Sequence, residues 1–171
     1  GIILDVRKLR AVYRTVRGLV KAVDGISFDL RQGETLCIVG ESGCGKTATG
    51  LSILRLIEGL RGQITGGQII YRGDDILKYS GDKLRQLRGQ KIAMIFQDPQ
   101  SSLNPVLKVG EQIAEPMKFH LGLDKSETRA RALGLMRQVG IPFPERRIDE
   151  YPHQFSGGMK QRGMIATALS C

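Results

Sequence analysis

Apolar and polar residues alternate in short runs through the first third of the chain. Residues 2–6, 8–14 and 20–30 are rich in Val, Ile, Leu and aromatic residues, with glycines or charged residues between them. Such residues favour strands, and the polar separators favour turns. The pattern predicts three strands, with a fourth at residues 68–71.

Two apolar runs are continuous instead of alternating. Residues 35–39 read Thr-Leu-Cys-Ile-Val and residues 92–96 read Ile-Ala-Met-Ile-Phe. Continuous runs of this length are typical of strands that are buried on both faces of a parallel sheet. After the first run, residues 46–60 carry apolar positions at helical spacing, which predicts an amphipathic helix. A short helix is predicted at residues 83–88.

The second half of the chain has a helical pattern. Residues 97–105 are polar and contain prolines, so they predict a loop, and residues 109–151 are predicted to be mainly helical. Asp124 and Glu127 have the spacing of a capping box, and Gly140 is placed to end the helix that follows. We expect that helix to bury Ala130, Leu133 and Met136 or Val139. A last helix is predicted at residues 159–169.

Composition narrows the class of protein. The chain has 171 residues, of which 41% are hydrophobic and 25% are charged, as in ordinary globular domains. No apolar run approaches the roughly 20 residues that a membrane helix needs, and the first residues do not resemble a secretory signal. Two of the three cysteines lie in the predicted strand and in the glycine-rich segment after it, which favours a reducing compartment.

The formal net charge of +9 is of the kind found in proteins that bind nucleic acid or an anionic membrane surface. The sequence has no zinc-finger spacing and no basic region leading into heptads, and only 5% of its residues are aromatic. We interpret the charges as solvated faces together with a site for an anionic nucleotide. No nucleic-acid partner is expected, although an ATPase that acts on DNA or the ribosome remains an alternative.

A phosphate-binding loop is the most specific motif of the chain. Gly40-Glu-Ser-Gly-Cys-Gly-Lys-Thr47 matches G-x-x-x-x-G-K-[ST] and lies between a predicted strand and a predicted helix. In this motif the backbone N–H groups surround phosphates, the Lys46 ammonium reaches the terminal phosphates, and the Thr47 hydroxyl can bind Mg²⁺. No Asn-Lys-x-Asp guanine-reading motif is present, so GTP is not the expected nucleotide. We expect alkylation of Cys44 to block nucleotide binding by its bulk.

A second anion-binding helix start is predicted near the end of the chain. Ser156, Gly157 and Gly158 precede Met159-Lys-Gln-Arg162, so a serine cap and two glycines open the last helix. Taken alone, this pattern also fits a well-capped helix whose glycines allow close packing. Beside the phosphate-binding loop, it indicates a chain with two phosphate-seeking helix starts.

These motifs together resemble the nucleotide-binding subunits of ABC transporters, and more narrowly the ATPases of oligopeptide and dipeptide importers. The resemblance spans nearly the whole chain. It is carried by Val23-Asp-Gly-Ile-Ser-Phe-Asp-Leu30, Gly33-Glu-Thr-Leu36, the phosphate loop, Met94-Ile-Phe-Gln-Asp-Pro99, Ser102-Leu-Asn-Pro105, Gly110-Glu-Gln-Ile113 and Tyr151-Pro-His-Gln-Phe-Ser-Gly-Gly-Met-Lys-Gln-Arg162.

The resemblance implies the fold and its subdomains. It implies an α/β P-loop NTPase core with an antiparallel β subdomain and a helical subdomain. Residues 1–96 are assigned to the β subdomain and an incomplete core, and residues 97–155 to the glutamine loop and helical subdomain. Residues 156–171 are assigned to the signature motif and the helix after it.

The resemblance also implies roles for individual residues. Lys46 and Gln97 are the catalytic candidates, Thr47 and Gln97 the Mg²⁺ candidates, and Tyr13 the aromatic residue that stacks on adenine. The ATP-binding loop comprises Gly40, Glu41, Ser42, Gly43, Cys44, Gly45, Lys46, Thr47 and Ala48. The signature residues contact the ATP held by the other subunit and are Ser156, Gly157, Gly158 and Met159. Met159 stands where glutamine is more usual, and Cys44 where serine is frequent.

The implied function is an ATP-driven importer subunit for peptides or similar small solutes. Its implied partners are a second ABC ATPase, identical or a sister chain, two membrane-spanning permease subunits and, indirectly, an external solute-binding protein. It is expected to be a peripheral protein on the cytoplasmic face of the cell membrane.

The apolar strand ending in Asp-Glu and the later switch histidine of the family have no match here, and His120 and His153 cannot replace them. Residues 1–171 are therefore expected to be a segment that lacks the general base and hydrolyses no ATP alone. A nucleotide-binding module without hydrolysis is the alternative if the natural chain ends at residue 171.

Overall fold

The computed structural model describes residues 1–98 and 102–171, which form two compact units, Gly1–Leu84 and Arg85–Cys171. Residues 99–101 of the predicted loop lie outside the described residues. The predicted boundaries at residues 96 and 155 stay a prediction. Within the described residues, no helix is both long enough and apolar enough to span a bilayer.

The first unit is built on a four-stranded antiparallel sheet in the order β2-β1-β3-β4. Its strands are β1 (Ile2–Thr15), β2 (Gly18–Arg31), β3 (Gly62–Tyr71) and β4 (Asp74–Asp75). The alternating runs therefore form strands, as predicted, but residues 2–6 and 8–14 belong to one strand instead of two.

A β-bulge explains why the sequence pattern of β1 breaks at residue 8. Leu4 and Val6 are buried at even positions, whereas Leu9 and Ala11 are buried at odd positions. Lys8, with a φ of 45°, is the extra residue opposite β2, where its N–H donates to Ser27 Oγ at 2.8 Å. The bulge shifts the alternation by one residue, so a single strand keeps one apolar face buried.

Helix α1 (Lys46–Ile53) is shorter than predicted. Arg55 adopts a φ of 53°, which ends the helical path, and Leu56–Leu60 form a 3-10 helix. A second 3-10 turn at Ile76–Lys78 and helix α2 (Gly81–Gln90) follow the sheet; the backbone of α2 is non-helical at Arg88 and Gly89. The apolar spacing of residues 46–60 thus continues through the change of helix type, because Ile57 is still fully buried.

The two continuous apolar runs do not form strands, and this prediction is wrong for the described residues. Residues 35–39 have no regular structure, and residues 92–96 contain only an isolated bridge between Ile92 and Arg88. Val39 is 84% exposed and Ile95 49% exposed. A strand is held by hydrogen bonds to a neighbouring strand, and within residues 1–98 and 102–171 neither run has one.

The second unit is helical, as predicted. It contains α3 (Val109–Leu121), α4 (Lys125–Gln138), the single turn α5 (Pro144–Arg147), a 3-10 turn at Pro152–Gln154 and α6 (Gly157–Ala168). Its apolar core comprises Val109, Ile113, Ala114, Met117, Ala132, Met136, Ile141, Ile148, Phe155 and Ala166.

The ends of α4 confirm both predicted signals. Asp124 Oδ1 accepts from the N–H groups of Ser126 (2.7 Å) and Glu127 (2.8 Å), and Glu127 Oε2 accepts from the N–H of Asp124 at 2.9 Å. At the other end Gly140 has a φ of 74° and closes the helix. The capping box and the glycine together set the length of the helix.

The buried face of α4 differs in part from the prediction. Its buried residues are Thr128, Ala132 and Met136, four positions apart, and Leu133 is partly buried against the core. Ala130 is exposed. Two residues turn a helix by roughly 200°, so Ala130 and Ala132 lie on opposite faces and cannot both be buried.

Candidate nucleotide-binding site

The phosphate-binding loop precedes α1 in the first unit. Gly43 and Gly45 have φ values of 85° and 96°, which residues with a Cβ rarely adopt. Gly45 occupies the N-cap position without a side-chain cap. The first N–H groups of α1 have no intrahelical acceptors, so this helix start can bind an anion.

A bulge in β2 brings the sheet against this loop. Ala11 and Val12 pair with Val23 and Lys21, which leaves Ala22 as the extra residue. The carbonyl oxygen of Ala22 would lie 2.2 Å from a Cβ built on Gly45. Glycine is therefore required at position 45 both by its backbone conformation and by the space available.

The Lys46 ammonium is bound by the loop itself. Its Nζ donates to the carbonyl oxygens of Gly40 and Glu41, each at 2.7 Å, and lies 3.4 Å from Cys44 Sγ. Both carbonyls are exposed to solvent, so phosphate oxygens can replace them as acceptors for the ammonium. The contact also places the Cys44 thiol at the binding loop, which is consistent with the expected effect of alkylation.

The remaining residues of the loop suit ATP and Mg²⁺ in their chemistry. Thr47 is exposed at the start of α1, where its hydroxyl can bind a hydrated Mg²⁺. Ala48, which is 6% exposed, has no polar side-chain atom, so it can contribute only its backbone N–H to phosphate binding. Thr49 Oγ1 donates to the Gly45 carbonyl at 2.9 Å and fixes the first turn of the helix. Among the described residues, no group of three acidic, His or Cys side chains forms a metal site by itself.

Tyr13 lies in β1 of the same unit and is partly buried. It pairs with Val20 of β2 and with Gly62 of β3. Its stacking on adenine stays a prediction.

The signature segment opens α6 in the second unit. Ser156 is the N-cap, and its Oγ accepts from the N–H of Met159 at 3.3 Å. Ser156, Gly157 and Gly158 are exposed, whereas Phe155 just before them is 5% exposed and belongs to the apolar core. The buried Phe155 fixes the segment, and the polar helix start faces solvent.

Gln97 also belongs to the second unit, where it is exposed at a bend. The structure brings Lys46, Thr47 and Cys44 together in one loop, and it places Ser156 to Met159 in one helix start. The grouping of Gln97 with Lys46 and Thr47 around one Mg²⁺ stays a prediction.

Three contacts were not expected from the sequence. Ala22 contacts the loop through its backbone, which no side-chain pattern reveals. Arg162 Nη1 donates to the carbonyls of Val139 (3.0 Å) and Gly140 (2.7 Å), so α6 is tied to the end of α4. Asn104 and Gln112 bind each other within two motifs that the sequence marked without giving them a role.

Comparison with known proteins decides the family. A model of the ABC transporter family matches residues 23–171. The chain belongs to the ABC transporter family. The roles of the two helix starts as phosphate-binding loop and signature segment stay predictions.

Relatives and solved structures agree with this assignment. The dipeptide transport ATP-binding protein DppD of Bacillus subtilis is 46% identical over 99% of this chain and 50% of its own length. The oligopeptide transport ATP-binding protein OppD of the same organism is 45% identical over 98% of the chain and 47% of its own length.

The solved ATP-binding cassette MJ0796, a dimer bound to ADP and Pi, has a TM-score of 0.82 at 27% identity and is covered to 69%. The chain spans about half the length of the curated relatives it matches. The fold is that of an ABC ATPase cassette, with its antiparallel sheet and helical unit.

Proposed function

We propose that this chain is the nucleotide-binding part of an ATPase subunit that drives the import of peptides or similar small solutes. The phosphate-binding loop carries the proposal, because positive φ angles, close packing on Ala22 and the Lys46 ammonium together form a cradle for phosphates. Lys46 and the first N–H groups of α1 bind the β- and γ-phosphates, and Thr47 with Gln97 binds Mg²⁺. ATP supplies the phosphoryl group, and Mg²⁺ neutralises its charge.

Nucleotide binding is tested by titrating Mg-ATP into the purified chain and into its Lys46→Ala variant. We expect Lys46→Ala to weaken binding at least about 10-fold, because a charge-assisted contact to phosphate is lost. Lys78→Ala is the matched control, since Lys78 is an exposed lysine of the same unit that lies outside the loop. Equal affinity of all three proteins contradicts the assignment of the loop.

Hydrolysis is proposed for the complete protein that the gene encodes. The family places an apolar strand ending in Asp-Glu after the signature helix, where the Glu polarises the attacking water. Sequencing about 40 codons beyond that of Cys171 tests for this strand. An Asp-Glu pair followed by a histidine supports a hydrolysing subunit, and a stop codon there favours a module that binds nucleotide without turnover.

The proposed assembly has two ATPase subunits and two membrane-spanning permease subunits on the cytoplasmic face of the membrane, with an external solute-binding protein as indirect partner. Two observations support it: the exposed signature start at Ser156, which is free to face a second subunit's ATP, and the dimeric state of the MJ0796 cassette. The names of DppD and OppD support peptides as the solute.

Uptake of a labelled dipeptide by cells tests the substrate. We expect cells that carry Lys46→Ala in the complete protein to lose uptake, and cells that carry Lys78→Ala to keep it. Normal dipeptide uptake by the Lys46→Ala cells contradicts the peptide assignment.

A further inference from the structure

The two motifs marked in the sequence at residues 102–105 and 110–113 meet in the second unit. The N–H of Asn104 donates to Gln112 Oε1 at 2.8 Å, and Gln112 Nε2 donates to the carbonyl of Asn104 at 2.9 Å. One side-chain amide thus pairs with both backbone groups of one loop residue. A reciprocal pair fixes direction as well as distance, which a single hydrogen bond does not.

The same side chain holds the far end of the loop. Gln112 Nε2 also donates to the carbonyl of Leu107 at 2.9 Å. Inside the loop, the N–H of Val106 donates to Asn104 Oδ1 at 3.1 Å, which forms an Asx turn. Residues Asn104, Leu107 and Gln112 are called the Gln112 clamp below.

The loop is fixed on its other side as well. Leu103 is 5% exposed, and its Cδ1 would lie 3.8 Å from a Cβ built on Gly163 of α6. Ser102 Oγ donates to the carbonyl of Asp98, the residue after Gln97. Residues 102–107 are therefore bound to α3 by the clamp, and Leu103 packs on α6, the helix that begins with the predicted signature residues.

We propose that Gln112 is a positioning residue, which makes residues 102–107 move together with α3 and α6 as one body. The proposal rests on the proposed function and adds to it that partner subunits in the membrane act on hydrolysis through this unit. The hydrogen bonds of the Gln112 side chain are to backbone atoms of Asn104 and Leu107. Gln112 acts on the transmission of a movement through the second unit. Without the clamp, residues 102–107 can shift while α3 and α6 stay in place.

The clamp is tested first by amide hydrogen exchange on the complete protein. Gln112→Met keeps the length of the side chain and removes all three hydrogen bonds, so we expect the Asn104 amide to exchange about 10-fold faster. Gln112→Glu keeps the acceptor but places a carboxylate oxygen against the carbonyl oxygens of Asn104 and Leu107, which repel it, so we expect the Asn104 amide to exchange at least as fast as in Gln112→Met. Gln138→Met, the same change at an exposed position of α4, is the control. Unchanged exchange in Gln112→Met overturns the clamp.

The second measurement is ATP hydrolysis by the complete protein in vesicles, with and without its membrane partners. We expect Gln112→Met to lower the partner-stimulated rate about 5-fold or more while the basal rate and the KM for ATP stay the same. Gln112→Glu should lower the stimulated rate at least as much as Gln112→Met. A merely structural role would lower basal and stimulated rates together, and that result, or full stimulation of Gln112→Met, overturns the proposal.

The two measurements separate this proposal from the proposed function. If the wild-type protein hydrolyses ATP without responding to any membrane partner, the importer assignment is wrong. The exchange of the Asn104 amide then still decides whether Gln112 holds the loop, since it requires neither ATP nor a partner.

Discussion

The two helix starts that bear glycines are built in different ways. At α1 the N-cap is Gly45, which has a positive φ, no side-chain cap and the carbonyl of Ala22 pressed against it. At α6 the N-cap is Ser156, whose hydroxyl caps the helix, and a Cβ built on Gly158 would meet nothing within 4 Å. The sequence presents both as short glycine-rich openings, but only the first needs its glycine for folding.

The difference indicates what each glycine does. A glycine that the fold requires says little about ligands, because any side chain there would disturb the structure. A glycine with open space around it is not explained by the fold of this chain. The open surface at Gly158 therefore points outward, as expected if the nucleotide of a second subunit approaches there.

The largest expected effect is the loss of stability in Gly45→Ala. The positive φ costs roughly 1–2 kcal/mol, and the contact with Ala22 adds about 1–3 kcal/mol, so we expect a total of about 3 kcal/mol. Urea denaturation of the complete protein measures it. The matched control is Gly43→Ala, where φ is also positive but a Cβ would meet no atom within 4 Å, so only the first cost of roughly 1–2 kcal/mol applies. Equal losses in the two variants would show that Ala22 does not constrain the loop.

Ser156→Ala should have a smaller effect. Loss of an N-cap hydroxyl costs about 0.5–2 kcal/mol, and the long hydrogen bond of 3.3 Å to Met159 suggests the lower end. We expect faster exchange of the Met159 amide and a lower melting temperature. Ser156→Asp restores the cap and should recover the stability. If Ser156→Ala lost as much stability as Gly45→Ala, the contrast between the two helix starts would be wrong.

A lower pH should destabilise the segment before α6, which contains Asp149. Arg129 donates to both carboxylate oxygens of Asp149, at 3.0 and 2.7 Å, and this hydrogen bonding lowers the pKa of Asp149, with a smaller contribution from Lys108. A lowered pKa stabilises the fold fully above about pH 5, and the contribution is lost as the pH falls below about 4 towards the folded pKa.

Because the Asp149 pair is about half exposed, we expect no more than about 1 kcal/mol from it. Denaturation of wild-type protein and of Asp149→Asn between pH 7 and pH 3 measures this contribution, and the difference between them should shrink as the pH falls. Lys46, in contrast, donates to the backbone carbonyls of Gly40 and Glu41. Carbonyl groups do not titrate, so these contacts have no carboxylate partner that acid could protonate. A difference that does not shrink between pH 7 and pH 3 contradicts the assignment.

The smallest change in stability is expected for Gly158→Ala. Alanine is the better helix former by up to about 1 kcal/mol, and no clash opposes it, so stability should stay the same or rise slightly. ATP-driven dimerisation of the complete protein, measured by light scattering, should weaken nonetheless. A stable variant with unchanged dimerisation would mean that the open surface serves no second subunit.

Much of this fold follows from local rules in the sequence. The capping box at Asp124 and the ending at Gly140 could be predicted because each depends on nearby residues, and the apolar runs of β1, β2 and part of β3 were predicted as strands, although β1 was predicted as two strands and β4 was not predicted. The irregular structure of residues 35–39 and 92–96 could not be predicted, since a continuous apolar run becomes a strand only when neighbouring strands pair with it. The predicted burial of Ala130 is wrong for a different reason. At the helical period, Ala130 lies on the opposite face of α4 from the buried Ala132.

The candidate site divides in the same way. The loop from Gly40 to Thr47 and the cap at Ser156 were visible because their chemistry lies in the side chains and glycines of one short segment. Ala22 and Gln112 act on backbone atoms of residues that are distant or undistinguished in sequence, so no motif identified their roles. Asn104 and Gln112 belong to motifs that carry the family resemblance, but only the structure shows that these two residues bind each other.

The bulge at Lys8 also bears on the order in which the chain folds. The β1–β2 hairpin joins strands of 14 residues through a two-residue turn, so its pairing is local and can form within microseconds. A hairpin shifted by one residue would turn Leu9 and Ala11 to solvent and would separate Lys8 from Ser27. Such a misaligned intermediate would gain little from collapse and would reopen, so the bulge favours one alignment before the rest of the unit assembles on it.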